Sequence, residues 1–235
     1  MMLPIVVLAG GLASRLWPMT ESLPKSLLPI HGSPFVLHQL NLFKEQRITH
    51  VHYCLGHLGE LIIDVIKNWK GINDVQITYS FDGEILLGTG GAINRALPYL
   101  PDVFFITYGD SYLNTDYKAI QNAFYQNNKE GLMTVFKNDN KFDKSNVVFI
   151  NHEIQKYSKK QFASNMEYID YGLGILQKKH FQSYNKDTKF DLAEIYEDLA
   201  NSGKLLGFEI KERFYEIGSF QGIHELTNFL KPQKP

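Results

Sequence analysis

Residues 3–11 read LPIVVLAGG, an unbroken apolar run that ends in a pair of glycines. A continuous apolar run of this length is typical of a β-strand that is buried on both faces of a sheet. Further β-rich runs and helical patterns then alternate along the chain, with strands expected at 51–55, 75–81 and 103–108 and helices at 35–46, 57–69 and 90–97. Such alternation predicts a parallel sheet with helices packed on its faces, so the expected fold class is α/β.

The second half of the chain has a different pattern. Its β-like runs lie at 132–136, 147–150 and 169–176, and its helical patterns lie at 192–201 and 221–230. Polar turns join several of these strands, which favours antiparallel additions to the sheet. We therefore expect a three-layer α/β/α sandwich with a Rossmann-like, mixed but mostly parallel sheet. Because no fixed-period repeat and no low-complexity linker divides the chain, we expect one domain over 1–235, with halves at 1–130 and 131–230.

Composition excludes several classes of protein. The 24 basic and 25 acidic side chains nearly balance, whereas a dedicated nucleic-acid binder usually carries a large basic surplus. The single cysteine, Cys54, excludes an internal disulfide framework and a cysteine zinc site. No apolar run is long enough for a membrane span, and the N-terminus lacks a secretory signal pattern. We expect a cytoplasmic enzyme or binding domain without nucleic-acid or membrane partners.

The loop after the first strand is the strongest functional signal. Gly10 and Gly11 let the backbone approach a ligand closely, and amides at such a turn form an anion-binding concavity. Arg15 and Lys25 add two positive charges near the carboxyl end of the strand, where open α/β sheets bind ligands. This combination suits a triphosphate; the alternative is an exposed glycine turn with two surface cations. Neither a Walker loop nor a dinucleotide-binding fingerprint occurs in the chain.

A second glycine-rich segment, LGTGGAI at 87–93, follows a strand and opens a helix. Backbone amides at that helix start are able to meet a phosphate, a ribose or a base edge, although close helix–sheet packing explains the glycines equally well. Just before it, the carboxylates of Asp82 and Glu84 stand where one of them would accept a hydrogen bond from a base N–H.

Two carboxylates follow predicted strands in separate parts of the chain. Asp110, in YGDSY, comes directly after the strand at 103–108, and Glu216, in FYEIGS, comes before the last helix. Mg²⁺ prefers one or two protein oxygens plus substrate phosphates, so the pair predicts a magnesium site. The alternative for Asp110 is a helix N-cap near Asp116.

Taken together, these motifs resemble those of the sugar-1-phosphate nucleotidylyltransferases. The family pattern Gly-Gly-x-Gly-Thr/Ser-Arg-Leu…Pro-x-Thr…Pro-Lys-x-Leu is matched from Gly10 through Arg15 to Leu27. The later Gly-Thr-Gly-Gly-Ala, Gly-Asp and Glu-Ile-Gly segments follow in the family's order, so the resemblance covers nearly the whole chain. It implies the short, stand-alone form of the nucleotide-diphospho-sugar transferase fold, with a nucleotide-binding half at 1–130 and a sugar-phosphate-binding half at 131–230.

The resemblance implies a role for each matched residue. Arg15, Lys25 and Asp110 would be catalytic: Arg15 would grip the triphosphate, Lys25 would contact the transferring or sugar phosphate, and Asp110 would hold Mg²⁺ together with Glu216. The nucleotide-binding residues would be Leu8, Ala9, Gly10, Gly11, Asp82, Gly88 and Thr89. The sugar-phosphate-binding residues would be Lys160, Asp170, Tyr171 and Gly172.

This chain departs from the family pattern at three positions. Ala13 replaces a glycine of the first loop, and Glu216 stands where the family usually has an aspartate. Lys159 replaces a glutamate that often holds sugar hydroxyls, which leaves the identity of the sugar open.

The implied activity is Mg²⁺-dependent transfer of a nucleoside monophosphate from a nucleoside triphosphate to a sugar 1-phosphate, with release of pyrophosphate. A hexose or heptose acceptor and a guanylyl or uridylyl group are the favoured choices, in a monomer or homodimer that makes NDP-sugars for cell-surface polysaccharide. Two rivals stay open: a catalytically silent regulator that binds a nucleotide-sugar, and a glycosyltransferase, which would usually show an Asp-x-Asp motif that residues 110–112 lack.

Overall fold

The computed structural model describes residues 1–11, 16–83, 85–138 and 141–231. In chain order the strands are β1 (Ile5–Ala9), β2 (Pro29–Ile30), β3 (Ser33–Pro34), β4 (His50–Leu55), β5 (Gln76–Phe81), β6 (Val103–Tyr108), β7 (Ser111–Tyr112), β8 (Gly131–Lys137), β9 (Val147–Ile150), β10 (Glu153–Tyr157), β11 (Tyr168–Gln177), β12 (Leu205–Ile210) and β13 (Tyr215–Glu216). The α-helices are α1 (Phe35–Glu45), α2 (Gly59–Lys67), α3 (Gly88–Ala96), α4 (Tyr117–Gln126), α5 (Leu192–Asn201) and α6 (Phe220–Phe229). Short 3₁₀ helices lie at Lys25–Leu27, Leu97–Tyr99 and Lys178–Phe181.

The main sheet has the strand order β5-β4-β1-β6-β11-β8-β12-β10-β9. β1 lies between two parallel neighbours, with Val6 opposite His52 on β4 and opposite Ile106 on β6. β11 and β10 run against the other strands of this described sheet, as their antiparallel pairings show. The mixed, mostly parallel sheet is therefore confirmed, and the carboxyl ends of β1, β4 and β6 meet at one edge.

Helices cover both faces of the sheet. Ile5 and Val7 of β1 pack into a core shared with α1, α2 and α4, whereas Val6 points the other way into a core shared with α3 and α5. This alternation follows from the period of two along a strand, and each buried aliphatic side chain contributes about 1.5–3 kcal/mol. The three-layer α/β/α architecture is confirmed. α6 packs on a third, smaller hydrophobic cluster, which includes Ile30 of β2 and Ile217, the residue that follows β13.

Two of the helices begin at aspartate N-caps. Asp116 accepts a hydrogen bond from the Ala119 amide at 2.9 Å and starts α4, while Asp191 starts α5 with a capping box. Because Asp116 caps α4, Asp110 is free of that role. Within the described ranges, no helix has both the length and the apolar character that a membrane crossing requires.

The predicted elements agree with the structure to within about two residues, but of the strands in the main sheet β10 and β12 were not predicted. β10 reads EIQKY, a half-exposed sequence of low strand propensity, and it forms by pairing with β9 and β12. β12 pairs in parallel with β8 from Leu205 opposite Gly131 onward. β12 depends on a partner distant in sequence, whereas β10 forms a hairpin with the neighbouring β9 and gives a weak strand signal because its sequence is largely polar.

Candidate active site

A cavity of about 260 Å³ opens at the carboxyl ends of β1 and β6. Among its lining residues are all seven predicted nucleotide-binding positions and two of the predicted catalytic ones: Leu8, Ala9, Gly10, Gly11, Lys25, Asp82, Gly88, Thr89 and Asp110. The edge of an open α/β sheet is where such a cavity is expected, because adjacent parallel strands end there together. Three separate glycine-bearing segments of the sequence thus meet at one site.

Lys25 and Asp110 form an ion pair on the cavity wall. Lys25 Nζ donates to Asp110 Oδ2 at 2.9 Å, and the two side chains are 22% and 32% exposed. Lys25 begins the short 3₁₀ helix after the glycine loop, while Asp110 lies in the turn between β6 and β7. The arrangement holds a cation and a carboxylate together on the wall of the cavity.

The turn that carries Asp110 is held from two sides. The buried Gln39 side chain donates to the carbonyl oxygens of Tyr108 and Ser111, each at 2.9 Å. On the other side, the Ile217 amide donates to the Asp110 carbonyl at 2.9 Å. Gln39 is 1% exposed, and it was missed because a glutamine in a helical pattern gives no sign of its distant partners.

Close backbone packing explains two of the glycines near the cavity. A Cβ on Gly109 would lie 2.7 Å from the Cβ of Ala9, and one on Gly10 would lie 3.2 Å from the Gly56 amide nitrogen. The ends of β1, β4 and β6 approach one another so closely that only glycine fits at Gly109.

Asp82 forms a different part of the wall. It is 7% exposed, and its Oδ2 accepts a hydrogen bond from the Leu87 amide at 3.2 Å. Burial raises the pKa of the Asp82 carboxyl, while the Leu87 hydrogen bond and the Arg95 charge oppose that rise. Leu87 takes one of the two lone-pair sites of Oδ2, so a base N–H would have Oδ1 and the second site of Oδ2 as acceptors.

Arg95 anchors the backbone on which Asp82 stands. Its Nη1 donates to the carbonyls of Phe81, at 3.1 Å, and of Asp82, and its Nη2 pairs with Asp187. A guanidinium offers its donors in a fixed fork, so one side chain joins the cavity wall to the chain segment around residue 187. Arg95 was not singled out from sequence, since helix position alone does not reveal which carbonyls it meets.

The start of α3 is used for packing. The amides of Gly90 and Gly91 both donate to the Phe190 carbonyl, at 3.1 and 3.4 Å. Gly88 has a φ of +72°, and a Cβ there would lie 2.6 Å from the same carbonyl oxygen. The amides of Gly90 and Gly91 are therefore used in packing within the protein, as the alternative for this segment expected, because the Phe190 carbonyl accepts hydrogen bonds from both.

The four predicted sugar-phosphate residues lie outside the lining of this cavity. Lys160 is exposed, and Tyr171, 2% exposed, packs in the core against Phe136 and Phe214. Gly172 has a φ of +94° at an irregularity in β11 and lies near Tyr108 and Ser111.

The side chain of Asp170 lies among other charged groups. Its Oδ1 accepts from the Gly172 amide at 3.0 Å. Burial raises the pKa of the Asp170 carboxyl, and the Gly172 amide and the Lys159 ammonium oppose the rise.

Lys159, in the second half of the chain, is linked to the cavity wall through Asp191. Its Nζ donates to Asp191, whose Oδ1 also accepts from the Thr89 hydroxyl at 3.1 Å. The sequence identified Lys159 only as a departure from the family pattern, and it did not single out Asp191.

Glu216 lies next to the turn that carries Asp110. It pairs with Ser111 in the short β7–β13 ribbon, and its carboxylate accepts from the Gly218 amide and from the Ser219 hydroxyl. The Lys25 ammonium and the Glu216 carboxylate both lie beside Gly218. A Cβ built on Gly218 would be 3.4 Å from Lys25 Nζ and closer still to Glu216 Oε2. Over the described ranges, no group of three or more histidine, cysteine, aspartate or glutamate side chains gathers as a metal site.

Arg15, Ala13 and Glu84 lie outside the residues that the structure describes. The predicted grip of Arg15 on a triphosphate and the alternative base contact by Glu84 therefore stay predictions.

Comparison with known proteins identifies the family of this chain. Residues 5–232 match the sequence pattern of the family described as Nucleotidyl transferase. The chain is 26% identical over 216 residues to a Campylobacter jejuni D-glycero-α-D-manno-heptose 1-phosphate guanylyltransferase, covering 91% of this chain and 93% of that protein. It is also 26% identical over 220 residues to the Xenopus tropicalis mannose-1-phosphate guanylyltransferase catalytic subunit beta, and there it spans only 60% of the relative's length.

A solved structure shares the architecture. HddC from Yersinia pseudotuberculosis, complexed with GMP-PN, superposes with a TM-score of 0.80 at 25% identity, covering 98% of this chain and all of that chain. Because the family pattern spans nearly every residue from the first strand to the last helix, this chain belongs to the nucleotidyl transferase family.

Proposed function

We propose that this protein transfers a guanylyl group from GTP to a sugar 1-phosphate and releases pyrophosphate. The observation that carries the proposal is the Lys25–Asp110 pair in a cavity that gathers the three glycine-bearing segments. The relatives named above, at 25–26% identity, are guanylyltransferases or a protein complexed with a guanine nucleotide analogue, which favours guanine over uracil. Their acceptors favour a hexose or heptose 1-phosphate of manno configuration.

The chemistry needs no general base on the protein. A phosphate monoester has a second pKa near ~6, so the sugar phosphate is largely ionised at neutral pH and its oxygen attacks the α-phosphorus in line. Lys25 would neutralise charge on the phosphates, and Asp110 orients the Lys25 ammonium in the free protein. Catalysis then consists of positioning and charge stabilisation inside the cavity.

Mg²⁺ fits the donors present and is part of the proposal. Asp110, just before β7, and Glu216, on the paired strand β13, would supply carboxylate oxygens, and substrate phosphates would complete the octahedral shell that Mg²⁺ prefers. When bound, the ion neutralises phosphate charge. We also predict that the protein is cytoplasmic and that it is a monomer or a homodimer.

The test is pyrophosphate release with Mg²⁺, using each common nucleoside triphosphate against mannose 1-phosphate, D-glycero-α-D-manno-heptose 1-phosphate and other hexose 1-phosphates. Release that requires both GTP and one manno-configured acceptor supports the proposal. Release with UTP in place of GTP would overturn the choice of base. A folded protein that binds GTP without releasing pyrophosphate with any acceptor would favour the silent regulator.

A further inference from the structure

Gln39 connects two segments that carry candidate active-site side chains. It lies on α1, whose first residue, Phe35, donates from its amide to the Leu28 carbonyl at 3.0 Å, and the Leu28 amide donates in turn to the Lys25 carbonyl at 3.0 Å. The helix is therefore tied to the short 3₁₀ helix on which Lys25 stands. From α1, the Gln39 side chain reaches across to the turn that carries Asp110.

The amide group of Gln39 holds the main chain on both sides of Asp110. Its Nε2 donates to the Tyr108 carbonyl, two residues before Asp110, and to the Ser111 carbonyl, directly after it, each at 2.9 Å. The Asp110 carbonyl itself accepts from the Ile217 amide at 2.9 Å. The main chain at Asp110 is therefore fixed before, at and after this residue, and the direction in which its side chain leaves the turn is fixed with it.

Gln39 leaves part of its own hydrogen-bonding capacity unused. Gln121, a buried glutamine on α4, uses both ends of its amide: Oε1 accepts from the Leu3 amide at 2.7 Å and Nε2 donates to the Met1 carbonyl at 3.1 Å. Gln39 is 1% exposed, but its Oε1 has no hydrogen-bond partner among the described residues. A buried acceptor without a partner lowers stability, so Gln39 supplies its two donors at some cost to the fold. Such a conflict between a residue and the stability of its surroundings is typical of a functional site.

We propose that Gln39 is a positioning residue for the reaction. By holding the Asp110 turn against the segment that carries Lys25, it sets the place of the Asp110 carboxylate relative to the Lys25 ammonium and to Mg²⁺ and the phosphates in the cavity. The Asp110 side chain is 32% exposed, and the proposed function requires it to exchange Lys25 for Mg²⁺. Contacts to the main chain of Asp110 persist through that exchange, whereas contacts to its carboxylate oxygens do not. This inference rests on the proposed function, including its Mg²⁺ site.

The kinetic test compares Gln39→Met with Gln121→Met in steady-state pyrophosphate release. Each change puts a side chain of similar length in place of a buried glutamine and removes its hydrogen bonds to the main chain, so a purely structural role predicts equal effects. We expect kcat to fall roughly 10–100-fold in Gln39→Met, with the KM for the sugar 1-phosphate within about twofold of wild type, because a small misplacement of a reacting group acts on the chemical step. Gln121→Met should leave kcat close to that of the wild type.

A double-mutant cycle tests whether Gln39 acts through Asp110. In the background of Asp110→Asn, Gln39→Met should cause little further loss of kcat, because the carboxylate that Gln39 positions is already gone. Independent contributions of the two residues would multiply instead. Gln39→Glu is a second variant, which keeps the length of the side chain but offers at most one donor to the two carbonyls, so it should also lower kcat.

A binding measurement separates this inference from the proposed transfer. Calorimetry of GTP binding with and without Mg²⁺, in the absence of a sugar phosphate, gives the gain in GTP affinity that Mg²⁺ produces. We expect this gain in the wild type and in Gln121→Met, and the loss of most of it in Gln39→Met, because a group that orients a metal ligand contributes roughly 10–100-fold to metal affinity. If this pattern holds while the wild type releases no pyrophosphate with any acceptor, Gln39 has the proposed role and the transfer proposal fails.

Three results would overturn the role of Gln39. The first is equal kcat in Gln39→Met and Gln121→Met, and the second is fully multiplicative losses in the cycle with Asp110→Asn. The third is a gain in GTP affinity from Mg²⁺ that is absent from the wild type or unchanged in the Gln39 variants. Melting temperatures establish that the variants compared are folded, and Gln39→Glu replaces Gln39→Met in every comparison if the latter does not fold.

Discussion

Lys25 Nζ lies 2.9 Å from Asp110 Oδ2, although 85 residues separate the two in sequence. The contact arises because β1 and β6 are adjacent parallel strands, so the segments that follow them leave the sheet at one edge. Gln39 and Ile217 then hold the Asp110 turn against this edge. The sheet thus fixes a cation beside a carboxylate at the site where the proposed reaction would neutralise phosphate charge.

The first prediction concerns this pair. Lys25→Ala and Asp110→Asn should each lower kcat by ~10²-fold or more, as the loss of a preorganised electrostatic contact often does. The exposed pair Lys44–Asp74 gives matched controls, since Lys44→Ala and Asp74→Asn remove similar charges at a surface site. Steady-state pyrophosphate release measures both sets; near-normal turnover in Lys25→Ala and Asp110→Asn would refute the assignment.

The second prediction concerns Arg95 as a positioning residue. Arg95→Lys keeps the charge but loses the fork that holds the carbonyls of Phe81 and Asp82, so the nucleotide wall should loosen. We expect a rise of about tenfold in the KM for the nucleoside triphosphate, about the effect of one charged hydrogen bond, with a smaller change in kcat. An equal rise in the KM for the sugar 1-phosphate would point to general damage to the fold.

The third prediction concerns Gly88. Its φ of +72° is strained for any residue with a Cβ. A Cβ there would also lie only 2.6 Å from the Phe190 carbonyl oxygen, which is a steric clash. Gly88→Ala should therefore lower the free energy of unfolding by roughly 1–3 kcal/mol, measured by urea denaturation. Gly11→Ala is the matched control, because a Cβ there meets no described atom within 4 Å; it should change the free energy of unfolding by less than about 0.5 kcal/mol.

The fourth prediction concerns His52, which is buried on β4 between the Thr78 and Ser80 hydroxyls. Burial lowers the pKa of His52 from 6.5 to about 4. The unfolded chain then binds a proton in this interval that the folded protein does not, so stability should fall as the pH drops from about 6.5 towards 4. The loss should reach roughly 3 kcal/mol.

His52→Gln isolates this contribution because glutamine hydrogen-bonds without titrating. The free energy of unfolding, measured at several pH values, should fall less steeply in the variant than in the wild type between pH 6.5 and 4. Identical pH profiles for the two proteins would show that His52 protonates freely in the folded state.

Much of the fold was predictable because its signals are local. The apolar run of β1 and the alternation of strands with amphipathic helices are read within windows of about ten residues. The cavity was predictable for a related reason: segments that follow adjacent parallel strands end at the same edge, so Gly10, Lys25 and Asp110 were expected to meet. The half-exposed β10 was missed because its polar sequence has low strand propensity. The parallel strand β12 was missed because its pairing with β8, distant in sequence, is not visible in a local pattern.

The sequence by itself determined the α/β class, the segments that line the cavity and the resemblance to a family. Three contacts were decided only by the tertiary structure. Gln39 donates hydrogen bonds to the turn that carries Asp110, the Phe190 carbonyl accepts from the amides at the start of α3, and Lys159 pairs with Asp191. The physical reason is that a hydrogen bond or ion pair needs two atoms within about 3 Å. A local pattern places a residue on an element, but the packing of elements decides which distant atoms come that close.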